Sequence, residues 1–167
     1  MNILVMYYSR TGKTRALAEE VARGVEEVEG AVCRLKSAAE VSAEDFTAAA
    51  GIIAGSPVYF GTMAAELKEV LEKMITVRKK MGGKIGAAFA TSAYHSGGKE
   101  TTMMSIIQAL LIYGMIVVGD PLDASGHYGA ACSGSMDKET AETARKLGKR
   151  VAELAKALYS SSLEKRY

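Results

Sequence analysis

Length, composition and charge restrict the kind of protein this chain can be. Its 167 residues predict a single domain over residues 1–167, with a core large enough to fold without disulfides. The net charge of +2 comes from 21 basic and 19 acidic residues that are mixed along the chain. No strongly basic segment of the kind that binds nucleic acid stands out, so nucleic acid is not an expected partner.

Export, membrane insertion and metal binding are also not expected. The first residues enter an apolar strand without a signal-peptide pattern, and no apolar run reaches membrane-spanning length. The cysteines and histidines are too few for a four-cysteine iron–sulfur or zinc site. They are Cys33, Cys132, His95 and His127. We expect a cytoplasmic protein with no membrane span and no metal centre.

Strand and helix patterns alternate along the chain. Short apolar runs indicate strands, whereas apolar residues that recur every three or four positions indicate helices. The predicted strands cover residues 2–8, 31–35, 51–55, 85–90 and 115–118. The predicted helices cover residues 13–28, 63–77, 101–113 and 138–158, with loops at 91–99 and 119–136 and a frayed tail at 160–167.

This alternation predicts an α/β fold with one open, doubly wound, five-stranded parallel sheet and helices on both of its faces. The strand order 2-1-3-4-5 is expected for such a chain. That order places a ligand outside the carboxyl ends of the strands, beside strands 1 and 3. The loops that follow strands 1, 3 and 4 are therefore where a site is expected.

The loop after strand 1 has the residues of a phosphate cradle. It consists of Ser9, Arg10, Thr11, Gly12, Lys13 and Thr14. Backbone N–H groups at a helix N-terminus carry partial positive charge, and hydroxyl groups donate to phosphate oxygens. An ordinary helix cap uses the same residue types, so both interpretations stay open at this point. Neither the Walker spacing nor Gly-x-Gly-x-x-Gly is present, which favours a mononucleotide over ATP or a dinucleotide.

Two later loops match a known pattern. Residues 55–63 are Gly-Ser-Pro-Val-Tyr-Phe-Gly-Thr-Met, and residues 91–100 are Thr-Ser-Ala-Tyr-His-Ser-Gly-Gly-Lys-Glu. With the first loop and with segments 113–118 and 127–130, they resemble the flavodoxin superfamily and, within it, the WrbA-type NAD(P)H:quinone oxidoreductases. The resemblance spans nearly the whole chain and implies a flavodoxin-like fold.

The resemblance implies one non-covalently bound FMN. It places the phosphate on residues 9–14 and the ribityl chain and isoalloxazine ring along the two later loops. The residues concerned are Pro57, Val58, Tyr59, Phe60, Gly61, Thr91, Ser92, Ala93, Tyr94, His95, Ser96 and Gly97. Judged by residue type alone, the aromatic side chains in these loops offer apolar contact to a ring. Ordinary core packing is an equal alternative for Phe60.

The sequence departs from the family pattern at two points. Many WrbA-type chains carry an aromatic insertion between the third helix and the fourth strand, where this chain has only residues 76–83 and no tryptophan anywhere. Near the end of the fourth helix, the family often has a histidine beside a glycine, whereas this chain has Tyr113 before Gly114. A histidine role therefore cannot be carried over to that position.

His127 is the candidate for proton delivery, because an imidazole titrates near neutral pH. It lies between Gly126 and Tyr128 in the predicted loop 119–136. For both His127 and His95, the alternative is a solvated loop histidine without a catalytic role.

The resemblance implies a two-electron oxidoreductase with FMN as cofactor and NAD(P)H as co-substrate. The nicotinamide nucleotide and a small quinone would use one flavin face in turn, which is a ping-pong mechanism. Members of the family are dimers of dimers that complete each site with a neighbour's residues. A homodimer or homotetramer is therefore expected.

Two other functions stay open. A one-electron carrier, like true flavodoxin, would dock on redox partner proteins, but flavodoxins typically use an acidic patch and this chain is slightly basic. A non-enzymatic interaction protein would bind FMN and reduce no acceptor. An iron–sulfur flavoprotein is set aside, because it needs a cysteine cluster that two cysteines cannot form.

Overall fold

A parallel sheet with helices on both faces forms the fold. This computed structural model describes the backbone of residues 1–164 and the side chains of residues 1–159. Its strands are β1 (Asn2–Tyr7), β2 (Val32–Ser37), β3 (Ala49–Tyr59), β4 (Thr62–Met63), β5 (Ile85–Ser92), β6 (Ile116–Val117) and β7 (Ala130–Ser133). Its helices are α1 (Lys13–Glu26), α2 (Ala43–Ala48), α3 (Ala65–Lys73), α4 (Lys99–Ile112) and α5 (Lys138–Glu164). Short 3₁₀ segments cover Ala38–Glu40 and Met74–Lys80.

The strands follow the order β2-β1-β3-β5-β6, and each neighbouring pair in this path is parallel. This confirms the predicted order 2-1-3-4-5, because the fourth and fifth predicted strands are β5 and β6. The carboxyl ends of β1, β3 and β5 therefore lie side by side at one edge of the sheet. Two short strands lie off the path: β4 forms an antiparallel hairpin with β3, and β7 pairs with β5.

The core consists of two apolar layers, one on each face of the sheet. Along β1, Ile3 and Val5 pack against α1 and α5, whereas Leu4 and Met6 pack against the layer that includes α3 and α4. All four side chains are fully buried. Because successive side chains of a strand point to opposite faces, burial on both faces requires a continuous apolar run. None of the helices in the described residues is long and apolar enough to cross a membrane.

The outer strand of the sheet is split in two. β6 pairs with the start of β5 and β7 pairs with its end, while residues 119–129 leave the sheet between them. The predicted loop at 119–136 is therefore wrong for Ala130–Ser133. Gly129 passes so close to β5 that a Cβ atom there would lie 1.9 Å from the Ala88 carbonyl oxygen. It also has a φ of +136°, so glycine is required at the return to the sheet.

Asp120 holds the excursion together. Its buried carboxylate accepts hydrogen bonds from the backbone N–H groups of Gly126 (2.8 Å), His127 (2.5 Å) and Gly129 (3.2 Å). The Arg150 guanidinium donates to the Asp120 carbonyl oxygen at 2.9 Å. Outside the sheet, these backbone N–H groups have no neighbouring strand to accept their hydrogen bonds, and the Asp120 carboxylate accepts them instead.

Other boundaries also differ from the predicted ones. β3 continues to Tyr59, so the assignment of residues 56–59 to a loop is wrong, and α2 forms in a polar stretch where no helix was predicted. The helix predicted over residues 63–77 ends as α-helix at Lys73 and continues as 3₁₀. α5 runs to Glu164, so the prediction of a frayed tail is wrong for residues 160–164, and residues 165–167 lie outside the described part.

α1 and α5 pack very closely where they cross. A Cβ atom on Gly24 would lie 1.9 Å from the carbonyl oxygen of Arg145, and one on Gly148 would lie 2.0 Å from the carbonyl oxygen of Val21. Two glycines, one on each helix, therefore set the distance between the helices. At the same contact, Glu20 of α1 pairs with Arg145 of α5 at 2.6 Å.

Candidate active site

Residues 9–14 form a tight turn that leads directly into α1. Gly12 has a φ of +87°, a conformation that favours glycine, and its N–H donates to the Ser9 hydroxyl at 3.1 Å. The Ala16 N–H makes the first hydrogen bond of the helix, to the Gly12 carbonyl oxygen. The backbone N–H groups of residues 13–15 precede that bond and have no partner within the helix. Nothing would lie within 4 Å of a Cβ atom on Gly12. The turn is thus an open cradle lined by N–H groups.

A buried pair of hydroxyl groups joins this turn to β5. The Oγ1 atoms of Thr14 and Thr91 are 2.7 Å apart, and both residues are buried. A second link runs from the Tyr8 N–H to the carbonyl oxygen of Gly55 on β3. The first loop is therefore tied to both of the other strands that end at this edge.

The second loop is a β-hairpin with Phe60 and Gly61 at its tip. Both tip residues have positive φ, +52° for Phe60 and +78° for Gly61, as a two-residue type I′ turn requires. The buried Ser56 hydroxyl accepts from the Ala64 N–H at 2.8 Å and donates to the Pro57 carbonyl oxygen at 2.7 Å. Ser56 thereby holds the base of the hairpin closed.

Phe60 projects from the hairpin tip, with a relative exposure of 107%. Core packing, the alternative considered for Phe60, is therefore wrong. A non-glycine residue in the left-handed region costs about 1–2 kcal/mol. Because the Phe60 ring is exposed, packing does not offset this cost, so the stability of the fold does not explain a phenylalanine at this position. Tyr59 differs, because its ring packs edge-on against Tyr8 with the ring centroids 6.3 Å apart.

The third loop covers residues 93–98, because β5 extends to Ser92 and α4 begins at Lys99, so the predicted loop at 91–99 is wrong at its two ends. It is held from β7 and α4. The Ser92 hydroxyl donates to the Tyr94 carbonyl oxygen at 2.6 Å and lies 3.3 Å from the Ser133 hydroxyl. The Lys99 ammonium donates to Ser133 at 2.6 Å. Sequence reasoning missed Lys99 and Ser133. For Ser133 no signal was available, because β7 was not predicted.

The three loops meet at the carboxyl ends of β1, β3 and β5. A Cβ atom on Gly98 would lie 3.3 Å from the Gly61 Cα atom, so the second and third loops are in contact. Every residue predicted to bind the cofactor lies on these loops, on the strand ends next to them or in the first turn of α1. Ala93, Tyr94, His95 and Ser96 are exposed there, whereas Thr91 and Ser92 are buried at the end of β5.

His127 lies elsewhere, on the excursion between β6 and β7. Its side chain is exposed, its φ is +115°, and its backbone N–H donates to Asp120. The structure does not bring its imidazole into a hydrogen bond with any residue of the three loops. A catalytic role for His127 therefore stays a prediction.

Neither cysteine is suited to act as a nucleophile. Burial raises the pKa of the Cys33 thiol to about 12. Burial also raises the pKa of Cys132, although Lys13 and Lys99 oppose the shift. Both cysteines are unbridged, and both stay protonated near neutral pH.

A cavity of about 850 Å³ lies beside the hairpin, between α3 and α4. Arg10, Tyr59 and Phe60 border it, whereas residues 91–97 do not. At its polar rim, a hydrogen bond from the Tyr8 hydroxyl lowers the pKa of Glu66. Its apolar lining includes Met63, Ala65, Ala109 and Ile112.

The strand order and the three loops at one edge of the sheet define a flavodoxin-like α/β protein. Residues 1–129 match the family described as NADPH-dependent FMN reductase. The chain therefore belongs to this flavodoxin-like family, as the WrbA-type resemblance predicted.

Individual relatives agree with this assignment. An "NAD(P)H dehydrogenase (quinone)" from Archaeoglobus fulgidus is 35% identical, over 93% of this chain and 98% of its own length. A "Flavodoxin" from Aquifex aeolicus is 37% identical, over 90% of this chain and 85% of its own length. Among solved structures, a WrbA-like flavodoxin from Agrobacterium tumefaciens superposes with a TM-score of 0.80 at 25% identity, covering 93% of this chain and 98% of that one.

Proposed function

We propose that this chain is an FMN-dependent oxidoreductase that transfers two electrons from NAD(P)H to a quinone by a ping-pong mechanism. In the overall reaction, NAD(P)H, a proton and a quinone give NAD(P)⁺ and a quinol. The observation that carries the proposal is the meeting of the three loops at the ends of β1, β3 and β5. The family match and the relative named as a quinone-reducing dehydrogenase support it.

The residues present fit FMN. The cradle at residues 9–14 offers backbone N–H groups and the Thr11 hydroxyl to a phosphate, and the open space around Gly12 leaves room for one. The exposed rings of Phe60 and Tyr94 provide apolar surface on the two loops assigned to the flavin ring. When bound, FMN supplies the capacity to accept a hydride from one substrate and pass the electrons to another. The protein's share is to bind, orient and partly cover the flavin.

Steady-state kinetics test the ping-pong proposal. Because the three loops form one site, the nicotinamide nucleotide has to leave before the quinone enters. Double-reciprocal plots at several fixed quinone concentrations are therefore expected to give parallel lines, with competitive inhibition by quinone against NAD(P)H at high concentration. Converging lines would show a complex with both substrates bound and would contradict a single shared site.

The proposed role of His127 is to deliver a proton to the quinone. His127→Ala is expected to slow the quinone-reducing half-reaction about a hundredfold. Anaerobic reduction of bound flavin by NAD(P)H is expected to stay nearly unchanged, because hydride transfer needs no proton donor. Stopped-flow measurement of each half-reaction separates the two. Leu122→Ala is the control, since Leu122 is also exposed on the excursion between β6 and β7 and is not among the residues predicted to bind FMN. If both half-reactions slow equally in His127→Ala, the proton-delivery role is wrong.

We also propose that the chain forms a homodimer or homotetramer. A helix that is apolar on all sides is normally buried. Residues 109–112 in the last turn of α4 are all apolar, yet Leu111 and Ile112 are exposed there, as is Met104 on the same helix. Ile112 also borders the cavity between α3 and α4, next to the exposed Phe60. A second copy that covers this surface would shield the apolar residues and help to enclose the site.

Sedimentation of two matched variants tests this assembly. Ile112→Glu places a charge in the proposed interface and is expected to shift the protein toward the monomer. Leu122→Glu is the control, because Leu122 is fully exposed on the excursion between β6 and β7. A wild-type monomer with full quinone reductase activity would contradict the proposed assembly.

A one-electron carrier is the second candidate, favoured by the relative named flavodoxin at 37% identity. Such a carrier would take up electrons from a protein partner and would not oxidise NAD(P)H itself. We further propose a cytoplasmic location, which the two unbridged cysteines support.

A further inference from the structure

The hydrogen bond between the Thr14 and Thr91 hydroxyls is a specific buried contact between α1 and β5. The two oxygens are 2.7 Å apart across 77 residues of sequence, and the residues are only 1% and 5% exposed. Thr14 is in the first turn of α1, directly after the cradle. Thr91 is held in register between Pro57 of β3 and Cys132 of β7. A side chain on a strand paired on both sides has a fixed position from which to orient its neighbour.

A hydroxyl group has one proton, so the direction of this hydrogen bond determines what Thr14 can do. If Thr14 donates to Thr91, its proton is unavailable to a ligand. If Thr91 donates to Thr14, the Thr14 proton is free for another acceptor. A fully ionised phosphate only accepts hydrogen bonds. In a chain from Thr91 to Thr14 to phosphate, the Thr91 proton therefore points to Thr14 and the Thr14 proton points to the phosphate. Each bond in such a chain also strengthens the next.

We propose that Thr91 is a positioning residue that donates to Thr14 and so directs the Thr14 hydroxyl to the phosphate, which makes the site select FMN over riboflavin. This inference rests on the proposed FMN site and adds a specificity determinant to it. Thr91 was expected to line the flavin directly. Its burial and its bond to Thr14 assign it instead to the phosphate end of the ligand.

Flavin titration of matched variants tests the role of Thr91. Thr91→Val keeps the shape and removes the donor, and Thr91→Ser keeps the donor. Thr102→Val is the control, because Thr102 is equally buried but its hydroxyl has no hydrogen-bond partner among the described residues. FMN and riboflavin are titrated separately by fluorescence quenching. Riboflavin has no phosphate, so it reports on the ring loops alone.

Thr91→Val is expected to weaken FMN binding about tenfold and to leave riboflavin binding unchanged. Thr91→Ser is expected to bind FMN like the wild type, and Thr102→Val to leave both affinities unchanged. If Thr91→Val is poorly folded, Thr91→Ala provides the same comparison. Equal weakening of both flavins, or unchanged FMN affinity, would overturn the role of Thr91 while the FMN site itself stands. A wild-type protein that binds neither flavin would overturn the proposed function and this inference together.

Discussion

Replacing Gly148 with alanine is expected to lower the free energy of unfolding by about 3 kcal/mol, the upper part of the range for overpacking a tight core. A Cβ atom at this position would lie 2.0 Å from the carbonyl oxygen of Val21 and 3.1 Å from the backbone nitrogen of Val25. Both contacts are with helix backbone, which cannot rotate away as a side chain can. α1 and α5 would have to move apart, and the apolar layer between them and the sheet would loosen.

Gly82→Ala is the matched control for this prediction. A Cβ atom on Gly82 would meet nothing within 4 Å, and its φ is not positive. The same methyl group is therefore expected to change stability little at that position. Urea unfolding monitored by circular dichroism gives both values. Similar stabilities for Gly148→Ala and Gly82→Ala would show that the contact between α1 and α5 is not as close as described.

Replacing Thr11 and Thr14 together with valine is expected to weaken FMN binding about a thousandfold. Each hydrogen bond to a charged group contributes about 1.5–3 kcal/mol, and two such bonds of about 2 kcal/mol give that factor. Thr11 is exposed in the cradle, and Thr14 follows it at the start of α1. Fluorescence titration with FMN measures the loss.

Riboflavin is the control ligand for the double variant. Its affinity is expected to change little, because the substitutions remove donors to the phosphate and leave the two ring loops in place. FMN affinity equal to that of the wild type would show that neither hydroxyl holds the phosphate. The helix cap, the alternative that the sequence left open, does not explain these hydroxyls, because the N-cap residue of α1 is Gly12, without a side-chain cap hydrogen bond. The phosphate assignment would then have to be abandoned.

Much of the fold and the site could be predicted because the signals are local. The alternation of strands and helices is a short-range pattern, and the order β2-β1-β3-β5-β6 follows from it and from general topology. Hydroxyl and glycine residues between β1 and α1 indicated the cradle, and the sequence around Pro57 and Tyr94 marked the other two loops. These loops meet because parallel strands end at the same edge.

The split outer strand could not be predicted, because its cause is non-local. Gly129 is required by the Ala88 carbonyl oxygen on β5, which lies 41 positions earlier in the sequence and is close only in the folded chain. The sequence does not distinguish Asp120 from a solvated loop aspartate, because its three N–H partners come together only in the folded chain. The support that Ser133 and Lys99 give to the third loop could not be predicted, because it depends on β7 lying beside β5.

Anaerobic mixing of the FMN-loaded protein with NAD(P)H tests the central claim most directly. NADH and NADPH are used in separate stopped-flow experiments, and the flavin absorbance near its visible maximum is followed. At least one nucleotide is expected to bleach the flavin rapidly, and a small quinone added afterwards is expected to restore the colour with one quinol formed per flavin. A protein that binds FMN but is bleached by neither nucleotide would be an electron carrier or a binding protein, and the proposed oxidoreductase would be contradicted.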